Sequence, residues 1–546
     1  MKNLDTITLS GQIVDLLHNR IFPGTITIQN GKIQRIVAEE VPSKNFLLPG
    51  LIDAHIHIES SMLTPAAFAA LAVIHGTVAT VSDPHEIANV LGIKGVEFMI
   101  ENGNTVPFKF FFGAPSCVPA TPFESSGAVL GIDAMETLLQ RPDIHYMAEM
   151  MNYPGVIYNN EEVHAKLAVA KKYGKPVDGH APGLRGKDAK AYIEAGITTD
   201  HECFTLQEAL EKIAFGMKIQ IREGSAAKNF DELIPLLATH PESVLFCSDD
   251  KHPDDLVKGH INQLVKKAIS MGYDPLQVLK SCILNPINHY RLPVGLLQEG
   301  DPADLIVVDS LENFNILATY VSGEKVAENG QSLITPPISE TPNCFEADHI
   351  KVDDIQLAFK GKQVKIIKAI EGQLITETII DTPLTKDGLI QNDTERDYLK
   401  LVVMNRYKKT PPAIALIKNT GIKNGALAST VAHDSHNIIA CGSDDKLIVD
   451  AINQLISVKG GIIALTPEEK ALLPLPVAGL MSPENAFEVA KAYESADELA
   501  KKTGTTLRAP FMTLSFMALL VIPQLKLSDK GLFDGSTFEF TDLSVA

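Results

Sequence analysis

The chain has 546 residues, of which 45% are apolar and 21% charged, and a formal net charge of −19. That length exceeds a single hydrophobic core and asks for two or three domains. The acidic balance, with no basic patch, speaks against nucleic acid as a partner. No apolar stretch is long enough to span a bilayer, so no membrane partner is expected; the longest, Phe511–Pro523, reads as core strand or helix. The start, Met1-Lys-Asn-Leu-Asp-Thr6, lacks a leader pattern. Six dispersed cysteines without a C-x-x-C pair fit reduced thiols and a cytoplasmic protein.

Residues 1–46 alternate apolar and polar positions, with Ile26 and Ile28 before Asn30-Gly31 and Ile33 and Ile36 after it, the pattern of a β-hairpin. The same character returns over 298–335, in Asp304-Leu-Ile-Val-Val-Asp309 and Tyr320–Val326, so both flanks are expected to build one small β-sandwich. Between them, residues 47–297 alternate strand-like and helix-like runs. Eight strands are read, at Leu47–Asp53, Val78–Asp83, Phe108–Gly113, His145–Met150, Pro176–His180, Ile197–His201, Lys218–Glu223 and Val244–Asp249. Amphipathic runs such as Glu161–Tyr173 and Leu256–Met271 separate them. Eight such units over about 250 residues predict an α/β fold of the (β/α)8, TIM-barrel type. Beyond Pro336-Pro337 a new mixed α/β pattern predicts a C-terminal domain over 340–546, with Ile462–Leu465 in its core.

In such a barrel the functional side chains stand at the carboxyl ends of the strands. Those ends carry His55 and His57, then Asp83, His85 and Glu86, then Glu149, His180, His201, and Asp249 with Asp250. Residues two apart on a strand share a face, so His55 and His57 can aim at one point. Imidazole and carboxylate ligands converging in a barrel mouth predict a divalent metal site.

These residues resemble the amidohydrolase superfamily and, within it, the long adenine deaminases of microbial type. The matching phrases are Pro49-Gly-Leu-Ile-Asp-Ala-His-Ile-His-Ile-Glu-Ser-Ser61, Asp83-Pro-His-Glu-Ile-Ala-Asn89, Asp178-Gly-His-Ala-Pro-Gly-Leu184, Ile221-Arg-Glu-Gly-Ser-Ala-Ala227 and His433-Asp-Ser-His-Asn437. The resemblance runs over essentially the whole chain. It implies two divalent ions, Mn2+ or Fe2+ ahead of Zn2+. His55, His57 and Asp249 would hold one ion and His180 and His201 the other, with Glu149 between them. The fourth strand has no lysine, so Glu149 stands where many relatives carry a carboxylated lysine. The implied reaction is hydrolysis of adenine to hypoxanthine and ammonia by a metal-activated hydroxide in purine salvage, with Asp249 moving the proton. The alternative is a related enzyme acting on another base or on a cyclic amide. The small zinc-deaminase signature, which needs P-C-x-x-C, is excluded. Relatives commonly self-associate, so a homo-oligomer is expected.

Weaker signals surround this set. Glu59 and Glu202 are either donors to the purine ring or partners that orient an imidazole. Asp83, His85 and Glu86 are expected in a supporting role, with helix capping and a further metal as alternatives. Arg222 and Glu223 either reach the mouth of the pocket or pair with each other. Asp250 is the reserve base. His433, Asp434, Ser435 and His436 are expected in a loop that closes over the base rather than in a plain solvated loop.

Overall fold

The computed structural model describes residues 6–225 and 227–545. Residues 1–5, on which the reading of the chain's start rests, lie outside them. The chain forms two compact units. The first takes the described residues up to His85 together with 96–116 and 131–339; the second takes 86–95, 117–130 and the described residues from 340 onward.

The first unit opens with strands β1 (Ile7–Asp15), β2 (Arg20–Gln29), β3 (Lys32–Ala38) and β4 (Phe46–Pro49). Asn30 and Gly31 join β2 to β3 with φ of 51° and 78°, the pair of left-handed conformations that a tight hairpin turn requires. The run expected as one strand, Leu47–Asp53, is two, because the chain changes sheets at Gly50. The Gly50 amide donates to Asp304 O at 3.1 Å, and a Cβ there would lie 2.3 Å from a methyl of Val78, so a larger residue could not make the crossing.

The barrel follows: β5 (Leu51–Ile56), β6 (Thr77–Ser82), β7 (Lys109–Ala114), β8 (Ile144–Met150), β9 (Val177–Gly179), β10 (Thr199–Asp200), β11 (Lys218–Arg222) and β12 (Val244–Cys247). Strands β5 to β9 pair in order, as do β10 to β12, all in parallel. Parallel bridges Val177↔Ile197 and Ile56↔Asp249 join the two sets and close the ring. Every residue of β5, β6 and β12 is buried, the sign of strands covered on both faces. The helix Glu161–Lys172 shows local rules at work: the Asn160 side chain accepts from Val163 N, acids fill its first turn, and Lys171 and Lys172 end it. The amphipathic run Leu256–Met271 is carried by two helices, Pro253–Lys258 and Ile261–Ser270. Its joint is Gly259-His260, where His260 leaves helical geometry and its imidazole reaches Asp53 at 2.8 Å.

Strands β13 (Leu305–Val308), β14 (Ile316–Val321), β15 (Glu324–Glu328) and β16 (Gln331–Ser332) then return to the first sheet, giving the order β16-β15-β14-β13-β4-β1-β2-β3. Ile13, Ile26, Leu47, Leu305 and Tyr320 share its core. Buried Asp304 fixes the return by accepting from Lys109 Nζ at 2.5 Å, Gly295 N at 3.0 Å and Ser322 N at 2.8 Å.

The second unit is built on a nine-stranded, mainly antiparallel sheet. Its core strands Leu399–Met404, Ala426–Ser429, Ile438–Gly442 and Gly461–Leu465 are covered by the helix Asp445–Val458, which inserts Ile448, Ile452 and Leu455. Asp444 caps that helix by accepting from Lys446 N and Leu447 N. Part of the apolar run from Phe511 forms the short buried helix Pro510–Ser515 and a 3-10 turn, Phe516–Ala518. Among the described residues no helix is long and apolar enough to cross a membrane.

Candidate metal centre and active site

The closing contact of the barrel also positions the site. The Asp249 amide donates to His55 O at 2.9 Å, and the His57 amide donates to Asp249 O at 3.4 Å, which sets the end of β5 against the second residue beyond β12. The His55 and His57 rings lie 4.9 Å apart, and His55 stacks on His201 at 4.2 Å. Glu149, on β8, stands between the two halves. Its Oε2 lies 3.2 Å from His180 Nδ1, 3.2 Å from His201 Nε2 and 3.9 Å from His55 Nε2, while Oε1 lies 3.8 Å from His57 Nε2. Asp249 Oδ1 lies 3.3 Å from His57 Nε2 and 3.7 Å from His55 Nε2. The ends of β5, β8, β9, β10 and β12 therefore meet at one place.

The chemistry of these donors fits divalent cations. Both ring nitrogens of His55 are buried without a hydrogen-bond partner, as is His201 Nδ1. Such groups are costly to bury unless something else takes their lone pairs. The His57 Nδ1 faces Asp83 O at 3.2 Å, so with the proton there Nε2 points its lone pair inward. The potential is strongly negative. Burial opposes charge on His180, yet Glu202 and Glu149 push it up to about 9. Burial opposes ionisation of Glu149 as well, but His180 and His201 hold it well below the usual carboxylate range. Asp249 behaves likewise: burial is outweighed by Arg222 and His57. A pocket that stabilises positive charge on its histidines suits metal ions that replace those protons.

Around this set the structure sorts the weaker candidates. Asp83 supports in two directions: Oδ1 accepts from His85 N at 3.0 Å, at the start of the helix His85–Leu91, and Oδ2 accepts from Glu149 N at 3.2 Å. His57, Asp83, His85 and Glu149 also offer ligand atoms close enough to share an ion. Glu202 is gripped by Arg222 through both oxygens, at 2.6 and 2.8 Å, and Arg222 also bonds Asp249 Oδ2. The alternative of an Arg222–Glu223 ion pair is not realised. Glu223 pairs with Lys267 at 3.0 Å and Lys228 at 3.6 Å, because alternation along the chain turns it away from the barrel interior. Asp250 accepts from Ser60 Oγ at 2.5 Å, and Glu59 is buried on the turn Ile58–Ser61.

The second unit holds the rest. His433, Asp434, Ser435 and His436 are all buried, which overturns the solvated-loop alternative. The Glu86 carboxylate lies between His433 Nδ1, at 2.7 Å, and His436 Nε2. Burial works against ionised Glu86, but the two imidazoles hold it well below its ordinary range. The Ala432 amide donates to His436 Nδ1 at 3.3 Å, so the ring proton sits on Nε2 and is given to Glu86.

Sequence reasoning missed several supports. Asp53 accepts from His55 N, Ser248 N, Ser248 Oγ and His260 Nε2, clasping the first strand to the last. Asp178 receives the Tyr290 hydroxyl at 2.8 Å and lies 3.8 Å from His55 Nδ1. Asn229 joins neighbouring strand ends, accepting from Arg222 N at 2.8 Å and donating to His201 O at 2.9 Å. A signal existed for two of them, since Asp53 and Asp178 each precede a histidine of the site by two residues and so share its face.

A closed parallel barrel with histidines and carboxylates gathered at its strand ends defines a metal-dependent hydrolase, and residues 46–326 match the amidohydrolase family. Residues 373–539 match the adenine deaminase C-terminal domain. The chain is 53% identical over 548 residues to an adenine deaminase of Methanosarcina mazei, covering 98% of each chain. It is 53% identical to that of Salinibacter ruber, over 98% of this chain and 99% of the other, and 50% identical over the full length of both to that of Parabacteroides distasonis. The chain belongs to the adenine deaminase family of amidohydrolases.

Proposed function

We propose that this protein hydrolyses adenine to hypoxanthine and ammonia, using two divalent metal ions, and serves purine salvage. The observation that carries the reading is the meeting of His55, His57, Glu149, His180, His201 and Asp249 at one barrel mouth, in a chain about half identical, end to end, to adenine deaminases. His55, His57 and Asp249 would hold one ion, His180 and His201 the other, and Glu149 would serve both. When bound, two divalent ions at such a site make hydroxide available at neutral pH.

The protein's own groups do the rest. Asp249, kept ionised by Arg222, takes the proton of the attacking water and passes it to the amine leaving C6. Glu59 lends the ring nitrogen its proton and regains one as the C6 hydroxyl becomes the carbonyl, a role left to it because Arg222 already occupies both oxygens of Glu202. Asp83 steadies Glu149 and His85 through their amides. Nitrogen and oxygen ligands suit Mn2+, Fe2+ and Zn2+ alike, and it is the resemblance to the long adenine deaminases that puts Mn2+ or Fe2+ ahead of Zn2+. The domain reading that goes with this places a small β-sandwich in 1–46 and 298–335, the barrel in 47–297 and an adenine-deaminase-type domain in 340–546. We further read the protein as a cytoplasmic homo-oligomer.

Incubating the metal-loaded protein with adenine, and following ammonia together with the ultraviolet change to hypoxanthine, tests the reaction. Rapid formation of both products is expected. Turnover of a cyclic amide or another base, with adenine inert, would replace the substrate while keeping the site.

A further inference from the structure

We propose that Arg222 is a positioning residue that sets which oxygen each of two site carboxylates turns inward, and that it does not bind substrate. The inference deepens the reading above and rests on it. Arg222 ends β11, is 3% exposed, and meets two acids from different strand ends. Its Nη1 donates to Glu202 Oε1 at 2.6 Å and to Asp249 Oδ2, and its Nη2 donates to Glu202 Oε2 at 2.8 Å. One planar cation thus fastens the acid beyond β10 to the acid beyond β12.

The consequences follow from which atoms are taken. With Oδ2 held, Asp249 offers only Oδ1 to His57 Nε2 and His55 Nε2, at 3.3 and 3.7 Å. Glu202, held on both oxygens, keeps Oε1 at 3.6 Å from His180 Nδ1 and 3.5 Å from His201 Nε2. The guanidinium therefore orders one carboxylate in each half of the proposed metal site. It is itself held in register, because Asn229 accepts from the Arg222 amide and donates to His201 O. Glu149, Glu202 and Asp249 put three carboxylates in one buried space, and Arg222 is the permanent cation that touches two of them. Lysine cannot substitute, since a single ammonium lacks the planar fork that spans both acids.

The test compares wild type, Arg222→Lys and Arg222→Ala, each reconstituted with Mn2+. Four readouts are taken: metal content, the Mn2+ electron paramagnetic resonance spectrum, kcat and KM for adenine, and rescue by guanidinium chloride at a non-denaturing concentration. We expect Arg222→Ala to keep wild-type metal content, with an altered Mn2+ spectrum because Asp249 is free to turn. Its kcat should fall about a hundredfold while KM stays within about threefold, as for loss of an interaction that acts in the transition state. Guanidinium should restore at least tenfold of that loss where equal sodium chloride does not, and Arg222→Lys should recover little. A rise in KM with kcat unchanged would make Arg222 a substrate contact and overturn the proposal. So would an unaltered Mn2+ spectrum. If Arg222→Ala does not fold, Arg222→Lys decides, and near-wild-type kcat in it refutes the role. Metal content and spectrum are read without adenine, so a wild-type protein inert to adenine would reject the substrate reading and leave this test standing.

Discussion

Glu124 offers the most quantitative test of the second unit. Its carboxyl is buried and pushed up to about 8, first by burial and then by the neighbouring charge of Asp434, against the opposing hydrogen bonds of Ser435 and of Thr121, whose Oγ1 donates to it at 3.3 Å. The unfolded chain returns it to 4.5. Between these values the folded protein keeps a proton that the unfolded chain releases, so stability falls as pH rises. The favourable contribution is complete below about 4.5 and is lost as pH climbs through about 8. At ~1.4 kcal/mol for each tenfold change in proton affinity, the whole titration is worth about 5 kcal/mol, of which about 2.5 kcal/mol falls between pH 6 and pH 8.5. Glu124→Gln keeps the shape and removes the titration. Urea unfolding of both proteins, followed by far-ultraviolet circular dichroism at the two pH values, isolates this group because all other titrations cancel in the difference. The wild type should lose about 2.5 kcal/mol more than the variant over that interval. Parallel curves would refute the argument.

Three further perturbations address the barrel. Glu149→Gln removes the anion shared by both halves, and metal analysis should show loss of bound ions together with activity. Asp249→Asn should retain most of the metal while turnover falls by about a hundredfold or more, as expected for loss of a general base; near-wild-type rates would pass the role to Asp250. Asp53→Asn turns an acceptor of His260 and Ser248 into a donor. At roughly 1.5–3 kcal/mol for a hydrogen bond to a charged group, hydrogen exchange of peptides spanning 51–57 and 244–249 should accelerate by about a hundredfold. Exchange unchanged within threefold would remove Asp53 from its role as clasp.

The residues at strand ends were legible because a barrel converts chain spacing into convergence. A histidine or acid just after an apolar run stands at the same mouth, and alternation then decides whether it faces in, as Asp249 does, or out, as Glu223 does. The runs themselves were legible because strands buried on both faces are mostly apolar, as β12 is throughout and β5 is apart from Asp53 and His55. What escaped the sequence depends on partners far away in the chain. The break at Gly259-His260 carries a local signal in its glycine, but the bond that holds His260 there, to Asp53 207 residues distant, does not show in the sequence. The choice of Arg222 for Glu202 and Asp249, rather than for adjacent Glu223, required knowing which way β11 turns its side chains. The pairing of Glu86 with His433 and His436 joins segments separated by most of the barrel sequence, and spacing alone gives no hint of it.

The most direct measurement is a metal titration of the chelator-stripped protein, with adenine turnover read at each increment of Mn2+. The account predicts no turnover without metal, a rise with added ion, and a plateau at two equivalents per chain, with hypoxanthine and ammonia formed in equal amounts. A plateau at one equivalent, or full turnover in the stripped protein, would contradict a centre in which Glu149 serves two ions.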